Sequence, residues 1–312
     1  VLSSSVAAMT SDAGNRWVLI DAPSNLGLRP PEPGAVPGAD KAPGALREAG
    51  LHRRMERAGA GWAGVVLAGR YVDDVHRADG ELRNQAAIID HSLRLAARIE
   101  EVVASGGRPL VIGGDCSILL GAAIALARRE GRFGLVHIDG HSDFRHPGNS
   151  DECASLAGED LAAAVGRHWP AVANIDGLGP YFAAEDAVHI GCRDDDEYLN
   201  EVRSVLGAVI TASDVLSRGV ASAAERALAV VGEREGYWLH VDVDVLDPTV
   251  ISAVDSPDAG GLDAQAFVEL LTTLAAGALG VQFTVFDPDR DEDGAQARLL
   301  AELIAAGVGV EA

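Results

Sequence analysis

The chain has 312 residues, a formal net charge of −22 and 48% apolar residues, with aromatics at only 4%. That is enough apolar material for a large core built from Ala, Val, Leu and Ile, and the negative balance argues against nucleic acid or an anionic membrane as a partner. Three cysteines, Cys116, Cys153 and Cys192, do not make a disulfide framework and fit a reducing, cytoplasmic setting, and no apolar run approaches the roughly 18 residues of a membrane span.

Residues 1–15 lack the basic start and long apolar core of a signal peptide and read as a tag remnant or a disordered lead, with Met9 as a candidate natural start. Residues 16–312 read as one domain, since no linker, repeat or composition shift divides them. WVLIDA (17–22) predicts a first strand, followed by a Pro/Gly-rich loop (23–44) and a short helix to Leu51. GVVLA (64–68) predicts a second strand. Apolar positions at Ala86, Ile89, Leu93, Ala96, Ile99 and Val103 predict a long amphipathic helix over 81–104. PLVIGGDCSILLG (109–121) reads as a buried strand, a Gly-Gly break and an Ala/Leu-rich helix to about residue 129.

GLVHIDGHSDF (134–144) is an apolar strand that breaks into Asp139, His141 and Asp143, and a polar loop covers 145–160. Further strands are expected at 187–191, 207–210, 237–248 and 279–286, with helices at 219–233, from GGL (260–262) to about 275, and at 294–307. Apolar strands alternating with helices imply an α/β fold in which helices cover both faces of a mostly parallel sheet.

In such a sheet, ligands bind beyond the carboxyl ends of the strands. The polar residues gather there: Asp115 and Cys116 after 109–112, Asp139, His141 and Asp143 after 134–138, and Asp242, Asp244 and Asp247 after 237–241. In extended backbone, i, i+2 and i+4 share a face, so Asp-x-His-x-Asp presents three metal-capable groups to one side. An Asp after a strand is ordinarily a turn former or helix cap. Asp-x-His-x-Asp and Asp-x-Asp-x-x-Asp-Pro in one chain, each after an apolar strand, read instead as a cation site, and five carboxylates with a His suit two ions. His137, His189 and His240 lie within strands and read as hydrogen-bonded core residues.

Gly113-Gly114-Asp115-Cys116-Ser117, Asp139-Gly140-His141-Ser142-Asp143 and His240 through Pro248 resemble, in order, three signatures of the ureohydrolase superfamily of arginases, agmatinases and formimidoylglutamases. The N-terminal strand with its glycine loop, HIGCRDDDE and GGL are similar to further segments of that family. The resemblance implies a three-layer α/β/α fold with about eight strands and two manganese ions per chain. One ion would be held by Cys116, Asp139, Asp143 and Asp242, and the other by Asp139, His141, Asp242 and Asp244. It implies hydrolysis of a non-peptide C–N bond in a guanidino or amidine compound by a hydroxide bridging the ions. Asp244 and His141 would be catalytic, and Asp196, Asn149 and Asp287 would contact the small-molecule substrate. A homo-oligomer, trimer or hexamer, is implied as well.

Three positions depart from the pattern. Cys116 stands where the resemblance implies His, and a thiolate favours zinc or iron over manganese. Leu156-Ala157-Gly158 stands where a His-Gly pair would supply the proton shuttle, leaving His146 or Glu152 of the same loop as substitutes. Val285 stands where a Glu would grip the guanidinium, which leaves Asp287, Asp289 or Asp255 for that task. Hydrolysis of a formimidoyl or N-hydroxyguanidino compound, or a silent protein that binds a ligand or partner, are the alternative readings.

Overall fold

The computed structural model describes residues 16–73 and 79–310; the expected lead at 1–15 lies outside the described residues. Eight strands form the sheet: β1 Trp17–Ala22, β2 Gly61–Val65, β3 Arg108–Gly113, β4 Gly134–Ile138, β5 Ala187–Ile190, β6 Ala208–Ile210, β7 Tyr237–Asp242 and β8 Gly280–Thr284. They pair in the order β2-β1-β3-β8-β7-β4-β5-β6. Every pairing is parallel, so the mostly parallel sheet expected is parallel throughout.

Strand periodicity sorts the side chains into two apolar layers. Ile20, Val111, Leu135 and Trp238 face the helices Gln85–Ala104 and Leu119–Ala127, through Leu95, Ile99, Leu120 and Ile124. Leu110, Val136, Ile138, Leu239 and Val241 face the other side, against Ala223 and Ala227, Leu270 and Leu274, and Leu300 and Ile304. Those residues lie on the helices Val220–Val231, Ala264–Ala275 and Ala295–Gly307. The result is the three-layer arrangement expected.

Several boundaries differ from the sequence reading. The second strand sits at 61–65 rather than 64–68. The short helix ending at Leu51 is two helices, Ala42–Glu48 and Leu51–Arg57, separated at Gly50, whose φ of 95° no helix accepts. The long helix starts at Gln85 rather than 81, because Asn84 is left-handed with φ 53°. The strand expected over 237–248 stops at Asp242, whose carboxylate accepts a hydrogen bond from the Asp244 N–H and starts a tight turn. Short helices at Asp160–Ala164, Pro170–Ala173, Leu199–Val205 and Ala212–Arg218 were not anticipated. Their few turns carry too little periodicity to read.

The three motif strands are not all neighbours. β7 lies beside β4, but β8 separates it from β3. The end of β8 therefore enters the middle of the acidic cluster, with Thr284 in register with Asp242.

The turn after β3 depends on Gly114. A Cβ there would lie 2.0 Å from the Ser24 carbonyl oxygen and 2.4 Å from its nitrogen. This approach lets the Asp115 N–H donate to the Ser24 carbonyl at 3.0 Å and the Ser24 hydroxyl donate to Asp115 Oδ2 at 2.7 Å. Gly114→Ala is expected to cost at least about 2 kcal/mol, since backbone on both sides must move. Chemical denaturation of the variant and parent checks this.

Candidate metal centre

Two strand ends build the site by the same local device. Asp139, just past β4, accepts the His141 N–H on Oδ1 at 2.7 Å. Asp242, the last residue of β7, accepts the Asp244 N–H on Oδ1 at 2.7 Å. Each turn uses one carboxylate oxygen to fix the backbone and aims the other into the space between the strands. Asp143 has φ 46°, a left-handed conformation that Asp tolerates, which turns its side chain back toward Asp139. Ligand atoms of Cys116, Asp139 and Asp143 lie within 4.8 Å of one another.

The second half of the cluster is closed by His141. Its Nδ1 lies 2.9 Å from Asp244 Oδ2 and 3.8 Å from Asp139 Oδ1. The Gly140 N–H donates to Asp244 Oδ1 at 2.9 Å, and a Cβ on Gly140 would meet that same oxygen. Arg193 does not neutralise these acids. Its guanidinium donates to the carbonyls of Gly191, Asp244, Asp258 and Ala259 and ties the loop backbones together.

Six sequence-predicted metal residues, Cys116, Asp139, His141, Asp143, Asp242 and Asp244, are thus brought around one point. Cys116 is fully buried, its single S–H donates to Asp242 Oδ2 at 2.8 Å, and its Sγ also lies 3.1 Å from Thr284 Oγ1. The remaining predictions divide. Asp196 lines the cleft above the cluster, where its carboxylate accepts the Ser142 N–H and hydroxyl and the Tyr198 N–H. Asn149 and Asp287 do not line it. Asn149 braces its own loop, donating to the Phe144 carbonyl and Glu201 and accepting from the His146 N–H. Asp287 accepts the backbone N–H of Gly38 and of Asp289. Neither side chain is free to reach a substrate, which corrects the expectation for both.

His146 is likewise committed, with Nε2 on Glu201 at 2.9 Å and Nδ1 accepting the Gly148 N–H. Ala157 and Val285 line the cleft itself, so two of the three departures from the expected pattern face it. Val285 is held at φ 72°, costly for a β-branched residue, and its N–H donates to the Gly114 carbonyl at 2.7 Å. Of Asp255, Asp287 and Asp289, only Asp255 lines the cleft, whose volume is about 480 Å³.

The electrostatics ask for a cation. Burial first, then Asp143 and Asp244, hold Asp139 well above the usual carboxylate range. Burial and then Asp244 do the same to Asp242, and burial and then Asp160 to Asp143. Burial opposes ionisation of Asp244 too, yet the facing His141 imidazolium leaves it below its ordinary value. Asp244 in turn pushes His141 up to about 11. Asp139 Oδ2 is buried with no hydrogen-bond partner. An acidic, half-orphaned donor set of this kind fits bound divalent ions, which would supply the missing positive charge.

Residues 20–308 match the family model described as "Arginase family". The chain belongs to the arginase family. It is 30% identical over 278 residues to an arginase of Bacillus caldovelox, a match covering 87% of this chain and 93% of that protein. The crystal structure of that organism's arginase superposes with a TM-score of 0.84 at 29% identity, covering 95% and 99% of the two chains. The proclavaminate amidino hydrolase of Streptomyces clavuligerus shares the fold, with a TM-score of 0.67 at 24% identity over 94% and 90%. The chain is a hydrolase of the ureohydrolase type. Among the described residues, no helix is long and apolar enough to cross a membrane.

Asp160, beneath the cluster, escaped the sequence reading. It ends the polar loop and looks like an ordinary cap at a helix start. A better signal was the repeated His-x-Asp of His137-Ile138-Asp139 and His240-Val241-Asp242, which puts a histidine one step below each acid on the same face.

Because burial and the neighbouring acids raise Asp139, Asp143 and Asp242 above the usual carboxylate range, and Asp244 raises His141 to about 11, metal uptake competes with protons at these groups. Manganese affinity is therefore expected to fall as pH is lowered from about 8.5 toward 6, with proton release on binding. Calorimetric titration in two buffers of different ionisation enthalpy measures both.

Proposed function

We propose that this arginase-family chain hydrolyses a C–N bond of a cationic guanidino or amidine compound, using two divalent ions held at the ends of β4 and β7. The observation that carries this is the convergence of four aspartates, His141 and Cys116 on one buried point at the floor of a cleft. Asp139, Asp143 and Asp242, beside Cys116, would hold one ion; Asp139, His141, Asp242 and Asp244 would hold the other. Manganese suits the oxygen-rich set, and zinc or iron is favoured if the thiol ligates. Bound ions of this kind lower the pKa of water and so supply a nucleophile near neutral pH.

The protein's own groups do the rest. His141 Nδ1 and Asp244 Oδ2, 2.9 Å apart, would both face the ion, so Asp244 is the carboxylate placed to take up a proton and the His141 proton would sit on Nε2. His141 Nε2 faces Asp258 at 3.1 Å, and Asp258 is exposed, so that proton has a route to solvent. Asp255 is half-buried in the cleft wall and its pKa is raised by burial, so it gains from pairing with a substrate cation. Asp195, Asp196, Glu197 and Asp258 add negative charge around the mouth, which attracts such a cation.

Arginase and amidino hydrolase are the names of similar proteins, and they support a guanidino substrate in general. The lining at Ala157 and Val285 argues against arginine itself. No imidazole stands at 157 to protonate a leaving amine, and no carboxylate at 285 to grip a guanidinium.

A coupled urea and ammonia screen over guanidino and amidine compounds, run on manganese-loaded protein with Asp139→Asn as the blank, tests the proposal. Release by the parent and none by the variant is expected; release that survives the substitution comes from another source. On the compound found, Asp255→Asn is expected to raise KM roughly 10–100-fold, the loss of one charge-assisted hydrogen bond. A KM unchanged by that variant would remove Asp255 from substrate binding.

A further inference from the structure

Below the carboxylates, on the same face of the sheet, lies a second row of polar side chains. Gln282, His240, His137 and His189 stand side by side on β8, β7, β4 and β5, in direct register. All four are fully buried. Asp160, also fully buried, sits against this row from the start of helix Asp160–Ala164. Neither carboxylate oxygen of Asp160 has a hydrogen-bond partner. The nearest imidazole nitrogens are His137 Nε2 at 3.4 Å and His240 Nε2 at 3.9 Å.

The row has a fixed polarity. An indole N–H can only donate, and Trp238 Nε1 donates to Gln282 Oε1 at 2.8 Å. The Gln282 amide group that remains, 2.7 Å from His240 Nδ1, can only donate to it. His240 Nδ1 is therefore an acceptor, and its proton sits on Nε2, facing Asp160. That tautomer excludes His240 Nε2 as a metal ligand and makes it a donor toward an ionised carboxylate. Metal ligands are commonly oriented by such outer hydrogen bonds. On its other side, Asp160 reaches the acidic cluster: its ligand atoms lie within 4.8 Å of those of Cys116 and, in a second grouping, of Asp143.

We propose that Asp160 is a ligand of the ion at the Cys116 end, oriented by His240, and that Cys116 stays outside the coordination shell as a donor to Asp242. The inference rests on the two-ion reading above and refines which residues serve it. The inner ion then has Asp139, Asp143, Asp160 and Asp242, an all-oxygen set that suits manganese, without a soft sulfur donor. It explains why an acid with two orphaned oxygens is buried under a cluster already rich in acids. It also explains why Cys116 Sγ points at Asp242 Oδ2 at hydrogen-bond distance.

The test uses the full chain, stripped of metal and titrated with manganese alone. Affinity and stoichiometry are followed by elemental analysis, and electron paramagnetic resonance separates coupled from isolated manganese. Asp160→Asn is expected to weaken one of the two ions by roughly 100-fold or more and to replace the coupled signal by that of isolated manganese. Cys116→Ser is expected to hold both ions within about 3-fold of the parent, because a hydroxyl can also donate to Asp242. X-ray absorption at the manganese edge of the unaltered protein is expected to show oxygen and nitrogen neighbours only, and it decides the matter even where a variant does not fold. Sulfur in that shell, or Asp160→Asn binding both ions like the parent, overturns the inference and leaves the two-ion reading standing. A parent chain that binds no manganese overturns both.

Discussion

Like charges brought together in a dry place are the constraint on which this structure turns. Asp139, Asp143, Asp242 and Asp244 meet at the ends of β4 and β7, and Asp160 lies beneath them. Burial raises the cost of ionising any one of them, and each makes the next harder to ionise. Protons or cations must enter with them. The sheet can carry this load because its two apolar layers are extensive and the strained groups are confined to the strand ends, where turns at Asp139 and Asp242 consume half of each carboxylate. The site is an exception that the core around it sustains.

The same pressure organises the neighbourhood. His141 takes up the charge of Asp244, Cys116 donates to Asp242, and Arg193 spends its donors on loop carbonyls rather than on the acids. Among the described residues, no Lys or Arg side chain pairs with Asp139, Asp143 or Asp242, and His141 lies closest to Asp244. The cleft above is acidic too, and its wall is apolar at Ala157 and Val285, the two positions where a relative acting on arginine is expected to carry an imidazole and a carboxylate. The chain is a hydrolase of the arginase family, and the acidic floor with an apolar wall at Ala157 and Val285 is what the proposed change of substrate rests on.

Much of this was legible in the sequence. Strands with apolar runs ending in acids, alternating with helices, give the parallel three-layer fold. Asp139, His141 and Asp143 do gather at one strand end, but through a turn at Asp139 and a left-handed Asp143 rather than through the extended backbone their spacing suggested. The motif segments also identify the family. What stayed hidden depends on contacts between distant segments. The insertion of β8 between β3 and β7 cannot be read from either strand alone. Asn149 and Asp287 looked like substrate ligands by position, yet each is consumed by nearby backbone and loop groups. Asp160 looked like a helix cap, and only the register of His137 with His240 shows that it faces a buried polar row.

The central claim is that the cluster around Asp139 and Asp242 is a two-ion centre. Anomalous diffraction from crystals grown with manganese, collected on both sides of its absorption edge, tests this most directly. The account predicts two anomalous peaks in each chain, flanking the Asp139 and Asp242 carboxylates at the floor of the cleft. A well-ordered structure with manganese present and no peak between those two side chains would contradict it.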